Sequence, residues 1–374
     1  MTSCRRRPPG GSAMPETRFH APGRVNLIGE HTDHTGGLVL PSAIDRGITL
    51  EVTRGGSMIE LRSRQADGEL RLPADGSVSP TRGWGRFVAA VAAELADSGR
   101  PPVGIRGVLT SDLPQGSGLS SSAALEVVVA LALASAAELD LAPMHMAALC
   151  RRAEHRAVGV PSGIMDQAAS LLGRAGQAVL LDCATLEYRY VALPADHALL
   201  VVDSGVRRTL ESSAYGDRVR ELAVALPVLK GRRPADVALG ELARLLSGLD
   251  PLPARRLRHV VTENARVRAA ELALIAGDLA TVGRLFDDGH RSLRDDFAAT
   301  TPEIDSLVLM AREAGAVAAR MTGGGFGGAI VALVTLGKAD AIGASVLETY
   351  ARAYRSRIGS ALVCHPSEGA RELR

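Results

Sequence analysis

The most constraining feature of this 374-residue chain is a glycine- and serine-rich segment, residues 113–124, that runs directly into an apolar stretch, residues 125–137. Gly116 and Gly118 allow the positive φ angles from which successive backbone N–H groups can surround an anion. The serines could cap the helix that the apolar stretch predicts, and the positive end of that helix would face the same anion. The segment therefore predicts a phosphate-binding loop in which one serine hydroxyl could also bind Mg²⁺. The alternative is a flexible turn with an ordinary N-cap, which the unbroken run into a buried helix disfavours.

Lysine is nearly absent, with Lys230 and Lys338 the only two among 43 basic residues. Neither completes a P-loop, because Ala332 stands where that loop needs its first glycine and Ala339 stands where it needs Ser or Thr. Neither fits the lysine-bearing strand of the protein kinases. Any phosphate binding must therefore use backbone amides, helix ends, arginine and a metal ion.

A second cluster, residues 21–37, concentrates polar side chains on what is predicted to be the bend between two strands: Arg24, Asn26, Glu30, His31, Asp33 and His34. Glu30, His31 and Asp33 would offer acceptors and a donor to a polyhydroxylated ligand, and the two glycines that follow would allow close backbone approach. The alternative for this segment alone is a solvated hairpin with incidental charges.

A third cluster, residues 321–328, carries five glycines in its last six positions and is predicted to connect a helix to a strand. Thr301 is a plausible N-cap for that helix, with Pro302 in its first turn. So many glycines suggest backbone packed closely against a ligand or another loop, although a tight linker is the alternative.

Two carboxylates lie between these clusters. Pro161 and Gly163 predict a turn that presents Asp166 at its far side, as a helix cap or as a catalytic group. Glu154, twelve residues before Asp166, is a second carboxylate able to meet a metal ion near the same cleft.

The chain length, corresponding to 39.0 kDa, exceeds that of a typical single core and predicts two domains that share one cleft. Alternating patterns of period two and 3.6 indicate an α+β fold. Strands are expected at 38–40, 48–52, 105–109, 178–181, 198–202 and 329–335, and helices at 84–95 and 143–157. The predicted boundaries are a disordered tail at 1–15, an N-terminal α/β domain at 16–192, a C-terminal α/β domain at 193–365 and a C-terminal tail at 366–374.

Composition limits the partners. A net charge of +2, with no basic cluster beyond residues 5–7, argues against nucleic-acid binding. The longest apolar window, 123–137, contains Glu126 and is too short to cross a bilayer. Four cysteines without CxxC spacing indicate free thiols in a reducing compartment, and the basic, Pro- and Gly-rich start is not a secretory signal. We therefore expect a cytoplasmic protein whose partner is a small molecule, with Met14 as a possible alternative start.

With these residues in view, the chain resembles the galactokinases, members of the GHMP superfamily that also contains homoserine, mevalonate and phosphomevalonate kinases. The resemblance rests on GRVNLIGEHTD at 23–33, GLSSSAALEV at 118–127 and MTGGGFGG at 321–328. It extends to GIMDQ at 163–167, HVVTENARV at 259–267 and HRSLRDDF at 290–297, and so covers about residues 16–365.

The resemblance implies a two-domain GHMP-kinase-like fold with the active site between the domains, and ATP-dependent phosphorylation of the anomeric hydroxyl of α-D-galactose by a monomer. Asp166 would be the catalytic carboxylate and Arg24 its cationic neighbour. The implied galactose-binding residues are Glu30, His31, Asp33, Gly163 and Tyr215. The residues implied to bind the ATP phosphates are Gly116, Ser117, Gly118, Leu119, Ser120, Ser121 and Ser122. Ser121 and Glu154 would hold Mg²⁺.

The chain departs from the family pattern at two places near the sugar motifs. His34-Thr35 stands where the family often has Tyr-Asn, and Gly216 follows Tyr215 where the family often has Asn. His34 could donate a hydrogen bond at the rim of the sugar pocket or be exposed to solvent. Galactose is the expected substrate, and the open alternatives are a related sugar such as N-acetylgalactosamine, another GHMP-kinase alcohol, and a silent galactose and ATP sensor.

Overall fold

The computed structural model describes residues 16–77, 81–114, 116–159, 162–207 and 213–373. The disordered tail predicted for residues 1–15, including Met14, lies outside this part of the chain. So does Cys4, whereas Cys150, Cys183 and Cys364 are buried free thiols, as expected. Within the same ranges, the helices are all too short or too polar to cross a membrane.

Five strands from the first half of the chain and one from its C-terminal end form a six-stranded sheet in the order β13-β1-β3-β6-β4-β5, in which only the β4/β6 pair is parallel. Its strands are β1 (Thr17–Asn26), β3 (Pro41–Arg54), β4 (Met58–Ser63), β5 (Glu69–Pro73), β6 (Ile105–Ser111) and β13 (Arg371–Leu373). A smaller antiparallel sheet contains β2 (Leu38–Val39), β7 (Gln177–Asp182) and β8 (Tyr188–Ala192).

Four helices cover the six-stranded sheet: α1 (Gly85–Asp97), α2 (Ser121–Ala136), α3 (Pro143–Val158) and α4 (Met165–Leu172). The central one, α2, packs against the other three and against β1 and β3. Because it is enclosed on nearly all sides, its sequence is apolar around the whole helix rather than along one stripe. This burial fixes the position of the serine-rich loop at its N-terminus.

The second half contains an antiparallel four-stranded sheet in the order β10-β11-β9-β12. Its strands are β9 (His197–Asp203), β10 (Ala318–Thr322), β11 (Ala329–Thr335) and β12 (Ser360–Cys364). The helices of this half are α5 (Ser213–Ala225), α6 (Leu239–Leu246), α7 (Pro251–Ile275), α8 (Leu279–Ser292), α9 (Pro302–Glu313) and α10 (Ala339–Ala353).

The long helix α7 connects two hydrophobic cores. Leu257 and Val260, near its start, belong to the core around the four-stranded sheet. Val267 and Leu274, nearer its end, belong to the core around the six-stranded sheet. The polar residues between these two groups therefore lie where the two halves of the molecule meet.

The α+β fold is confirmed, as are the strands and helices expected from periodicity. The Thr301 side chain accepts a hydrogen bond from the backbone N–H of Ile304 and caps α9, with Pro302 in the first turn, as predicted. The domain division near residue 192 stays a prediction; that position falls at the end of β8, before the first strand of the four-stranded sheet.

One expectation for the C-terminus differs from the structure. Residues 366–374 were expected to form a tail, but Arg371–Leu373 form β13 at the edge of the six-stranded sheet. Their partners are residues 18–20 of β1, more than 350 positions away. No local pattern marks this strand, because its three residues become a strand only through the edge that β1 offers.

Candidate active site

The three predicted clusters meet at one cleft of about 670 Å³. The residues of these clusters that line it are Arg24, Glu30, His31 and Asp33 from the first, Leu113, Gly116 and Gly118–Ser122 from the second, and Gly323, Gly324 and Phe326 from the third. Gly163, Asp166, Glu154 and Tyr215 also line it. The structure therefore brings together residues that lie as far apart in the chain as Arg24 and Phe326.

Arg24 and Asp166 form a bidentate ion pair in the cleft. Arg24 Nε lies 2.7 Å from Asp166 Oδ1, and Arg24 Nη2 lies 2.7 Å from Asp166 Oδ2. The third guanidinium nitrogen, Nη1, donates to the backbone oxygen of Gly118 at 2.7 Å. The Arg24 side chain is 4 % exposed and that of Asp166 is 26 % exposed. The buried arginine is thus fixed by the backbone oxygen of Gly118, while the Asp166 carboxylate remains accessible from the cleft.

Local features of β1 and α4 direct these two side chains at each other. The pairing of β1 with β3 changes register between Pro22 and Arg24, which bends the strand where it passes the serine loop. A Cβ on Gly23 would lie 2.7 Å from the backbone oxygen of Leu119, so only glycine fits there. Asp166 lies in the first turn of α4 and faces Arg24 across this contact.

The serine loop has the predicted glycine conformations but a different cap. Gly116 and Gly118 adopt φ angles of +73° and +76°. Ser120 occupies the N-cap position of α2 in the left-handed region, with φ 58°, and its side chain makes no capping hydrogen bond. Its hydroxyl donates to Asp166 Oδ2 instead. The expected serine cap is therefore wrong for Ser120, and the first N–H groups of α2 stay available to an anion.

The third cluster connects two strands, β10 and β11, so the prediction that it joins a helix to a strand is wrong. It packs against the second cluster, in agreement with the expectation of backbone close to a ligand or another loop. A Cβ on Gly323, whose φ is +76°, would lie 3.3 Å from the Gly118 oxygen and 3.8 Å from Arg24 Nη2. A Cβ on Gly328 would lie 3.7 Å from the Ser117 oxygen. The glycines let the loop after β10 approach the serine loop, residues 116–122, without a side chain between the two backbones.

Glu154 of α3 is the centre of a buried polar cluster beside the serine loop. Its carboxylate accepts hydrogen bonds from Ser162 Oγ at 2.5 Å, Gln167 Nε2 at 3.1 Å and Ser122 Oγ at 3.3 Å. The hydroxyl in contact with Glu154 is therefore that of Ser122, whereas Ser121, the residue expected from the sequence, lines the cleft without a described contact to it.

The carboxylates near Glu154 repel one another. Burial raises the pKa of the Glu154 carboxyl, and the charge of Asp166 raises it further, while its three hydrogen bonds lower it. The neighbouring Glu126 has a pKa raised well above the usual range, first by burial and then by the charge of Glu154. Among the described residues, neither Glu126 nor Glu154 has an ion-pair partner, so a bound cation would relieve this repulsion.

The sugar-motif residues form the polar end of the cleft. A Cβ on Gly163 would lie 1.9 Å from Asp33 Oδ2, so glycine at 163 leaves room for the Asp33 carboxylate. The His31 ring is stacked on Phe297 with 4.3 Å between ring centroids and lies 5.7 Å from the Tyr215 ring. Glu30, which is 1 % exposed, pairs with Arg320 at 2.6 Å.

His34 lies beside this polar end rather than in solvent. Its side chain is 8 % exposed, with Nδ1 3.5 Å from Asp33 Oδ1. Its ring lies 6.3 Å from that of Tyr215. The solvent-exposed alternative is therefore wrong, and the position next to Asp33 leaves the rim interpretation as a prediction.

The other end of the cleft is apolar and was missed by sequence reasoning. Its wall consists of Ile48, Trp84, Phe87, Leu109, Leu113, Leu125 and Val158, with Gln65, Arg86 and Ser111 among them. These side chains come from several different strands and helices, so they form no motif. The one available signal was Trp84, the only tryptophan of the chain.

Comparisons with known proteins agree with this geometry. The chain matches the family model for the galactokinase galactose-binding signature over residues 10–54. It also matches the models for the GHMP kinases N-terminal domain over 86–174 and the GHMP kinases C-terminal region over 270–352.

Two curated relatives are named galactokinase. The one from Roseiflexus sp. is 40% identical and covers 95% of this chain and 92% of its own length. The one from Thermococcus kodakarensis is also 40% identical and covers 95% of this chain and 100% of its own length.

Among solved structures, Lactococcus lactis galactokinase complexed with galactose superimposes with a TM-score of 0.91 at 31% identity, covering 97% of each chain. The mevalonate kinase of Methanococcus jannaschii has a TM-score of 0.67 at 18% identity, over 96% of this chain and 100% of its own, and so shares the fold. With near-complete coverage at 40% identity, and with the signature segments gathered at one cleft, the chain belongs to the galactokinase family.

Proposed function

We propose that this protein transfers the terminal phosphoryl group of ATP to the anomeric hydroxyl of α-D-galactose, giving galactose 1-phosphate and ADP. The observation that carries the proposal is the position of the Arg24–Asp166 pair. It lies in one cleft with a polar end, formed by Glu30, His31 and Asp33, and an apolar end around Trp84. The polar end suits a polyhydroxylated sugar and the apolar end a flat base, which brings the two reactants to the same pair.

Asp166 is proposed to orient the sugar hydroxyl as its hydrogen-bond acceptor and to take its proton late in the transfer. The loose transition state of phosphoryl transfer requires in-line positioning and charge neutralisation more than a strong base. Arg24 holds the carboxylate and offsets negative charge on the transferring group. Because Arg24 also donates to the Gly118 oxygen, one side chain holds both Asp166 and the serine loop in place.

The ATP phosphates are assigned to residues 116–122 and the N-terminus of α2. The positive φ angles of Gly116 and Gly118 suit a nest of amides, and Ser120 does not occupy the first N–H groups of the helix. The chain's lack of a P-loop lysine is consistent with this arrangement.

The Glu154 cluster fits a magnesium ion. Hard carboxylate and hydroxyl oxygens are the ligands that Mg²⁺ prefers, and it is usually bound by one or two carboxylates together with substrate phosphates. We propose Glu154 as the carboxylate and a hydroxyl of the serine loop, Ser121 or the Ser122 group that contacts Glu154, as the second ligand. When bound, the ion would neutralise charge on the transferred phosphate. We also propose a monomer, since one chain supplies both ends of the cleft.

The test of the proposed function is an ADP-release assay with galactose, N-acetylgalactosamine, arabinose, mevalonate and homoserine, each with ATP and Mg²⁺. We expect the highest kcat/KM with galactose. If another acceptor gave the highest kcat/KM, that acceptor would be the substrate in place of galactose. Galactose binding without ADP release from any acceptor would indicate a sensor and contradict the proposed function.

Trp84 offers a direct test of which end of the cleft holds the nucleotide. Since it is the only tryptophan, its fluorescence reports one position. We expect a non-hydrolysable ATP analogue to change this emission and galactose to leave it unchanged. Trp84→Ala is expected to raise the KM for ATP about tenfold, or about 1.4 kcal/mol, through loss of aromatic contact, without changing the KM for galactose.

The matched control for Trp84→Ala is Tyr188→Ala, which removes an aromatic ring that is 42 % exposed and outside the cleft. It should alter neither KM. An emission change on adding galactose, or a Trp84→Ala variant whose galactose KM rises instead, would reverse the assignment of the two ends.

A further inference from the structure

A buried charged network joins the sugar end of the cleft to helix α7. Arg320 of β10, whose side chain is 0 % exposed, lies with Nη2 2.6 Å from Glu30 Oε2 and 2.7 Å from Glu263 Oε1. Glu263 also receives Arg266 Nε on its other oxygen at 2.7 Å. Two carboxylates and two guanidinium groups thus balance in charge, but only Arg320 touches both carboxylates.

The same helix holds the backbone around Glu30. The backbone N–H of Gly29 donates to Glu263 Oε1 at 2.9 Å, and His259 Nε2 lies 3.1 Å from the backbone oxygen of Glu30. The N–H of Leu38, which directly follows the polar cluster of residues 21–37, donates to Asn264 Oδ1 at 2.7 Å. His259, Glu263 and Asn264 all lie in the segment 259–267, which resembles the galactokinases but had no function predicted from the sequence.

Glu30 and Glu263 are not equivalent members of the network. Two arginines pull the pKa of Glu263 far below its usual range despite its burial. Glu30 contacts one arginine, and its pKa is raised overall to about 7: burial is the largest cause, the charge of Arg320 opposes it, and the charge of Glu263 adds to it. Loss of Arg320 would therefore protonate Glu30 first.

Glu30 also has acceptor capacity to spare. It lines the cleft, and besides the Arg320 contact and hydrogen bonds from Asn26 and from its own backbone, its two carboxylate oxygens have further lone pairs. A buried carboxylate with open lone pairs is suited to accept hydrogen bonds from ligand hydroxyls, and only while it is ionised can both oxygens do so.

We propose that Arg320, anchored by Glu263, is a positioning residue that holds the Glu30 carboxylate and directs it at a sugar hydroxyl, and so sets the affinity for the sugar. It does not contact the nucleotide end of the cleft. The inference rests on the proposed function, because it takes the ligand at the polar end to be the sugar.

The test is a double-mutant cycle of Arg320→Met and Glu30→Gln in the full chain, measured by galactose titration calorimetry and by steady-state kinetics. Arg320→Met is expected to raise the Kd and KM for galactose about ten- to hundredfold, with the KM for ATP changed less than twofold. In the Glu30→Gln background the same substitution should change the galactose Kd less than threefold, because the carboxylate through which it acts is gone.

Arg266→Met is the matched control, because Arg266 contacts Glu263 but not Glu30. It should change the galactose Kd less than threefold. If Arg320→Met does not fold, Arg320→Gln replaces it in the same cycle, since it also removes the charge but keeps a polar N–H donor in the buried network.

Equal effects of the Arg320 substitution with and without the Glu30 carboxylate would overturn the proposal and leave Arg320 a purely structural residue. A parallel rise in the KM for ATP would overturn it as well. Failure of the proposed function is distinguishable, because then the unmodified protein would release no ADP with galactose.

Discussion

Replacement of Asp166 by Asn is expected to lower kcat with galactose by about 10²- to 10⁴-fold while leaving the binding of both substrates nearly unchanged. The amide has the size of the carboxylate and retains an oxygen for Arg24, but it cannot take the hydroxyl proton. In either orientation its N–H₂ group also faces a donor nitrogen of Arg24, so one of the two Arg24 hydrogen bonds is lost. Single-turnover ADP release, together with galactose and ATP-analogue titrations, separates the loss of chemistry from loss of binding.

The control for this variant is Asp288→Asn, at an exposed aspartate paired with Arg291 on the surface of α8. It should keep the unmodified kcat. If Asp166→Asn turned over within a few-fold of the unmodified protein, Asp166 would have no role in proton transfer and the proposed mechanism would be wrong.

The substitution Arg24→Met is expected to lower kcat by about 10²- to 10³-fold, because it removes the cation that faces the developing charge. It also removes both hydrogen bonds to Asp166 and the one to Gly118, so that the carboxylate is no longer fixed relative to the serine loop. Arg24→Lys should recover little activity, since an ammonium group cannot reproduce the two-pronged contact.

A second measurement distinguishes a joint role of the pair from two separate roles. If Arg24 acts largely by holding Asp166, the double variant Asp166→Asn, Arg24→Met should be little slower than the worse single variant. Arg106→Met, which removes an exposed ion pair with Glu60, controls for loss of an arginine and should leave kcat unchanged. Multiplicative losses in the double variant would mean that the two residues act independently.

Short-range patterns predicted the elements that carry the site. The period of apolar residues located α1, α3 and six of the strands, β2, β3, β6, β7, β9 and β11, and Thr301-Pro302 marked the start of α9. Such signals depend on neighbours within one or two turns. The five glycines at 323–328 indicated backbone packed against a ligand or another loop, because a segment without side chains can approach other backbone closely. The structure shows such an approach to the serine loop.

Contacts that depend on what lies opposite a residue were not predictable in this way. A serine before a helix predicts a cap, yet Ser120 donates to Asp166 because α4 presents a carboxylate there. Strand β13 exists because β1 has a free edge, and the apolar end of the cleft is assembled from elements that share no motif.

By itself, the sequence determined the α+β class and the position of about half of the helices and strands, because these follow from the intrinsic preferences of residues close together in the chain. Its resemblance to the galactokinases indicated which glycine-, serine- and carboxylate-rich segments would meet at one cleft. Only the tertiary structure decided that Arg24 meets Asp166 across 142 positions and that Arg320 of β10 joins Glu30 to Glu263 of α7. Such pairs form where two folded surfaces come into contact, and their strength depends on the burial that this contact creates, which no local stretch of sequence encodes.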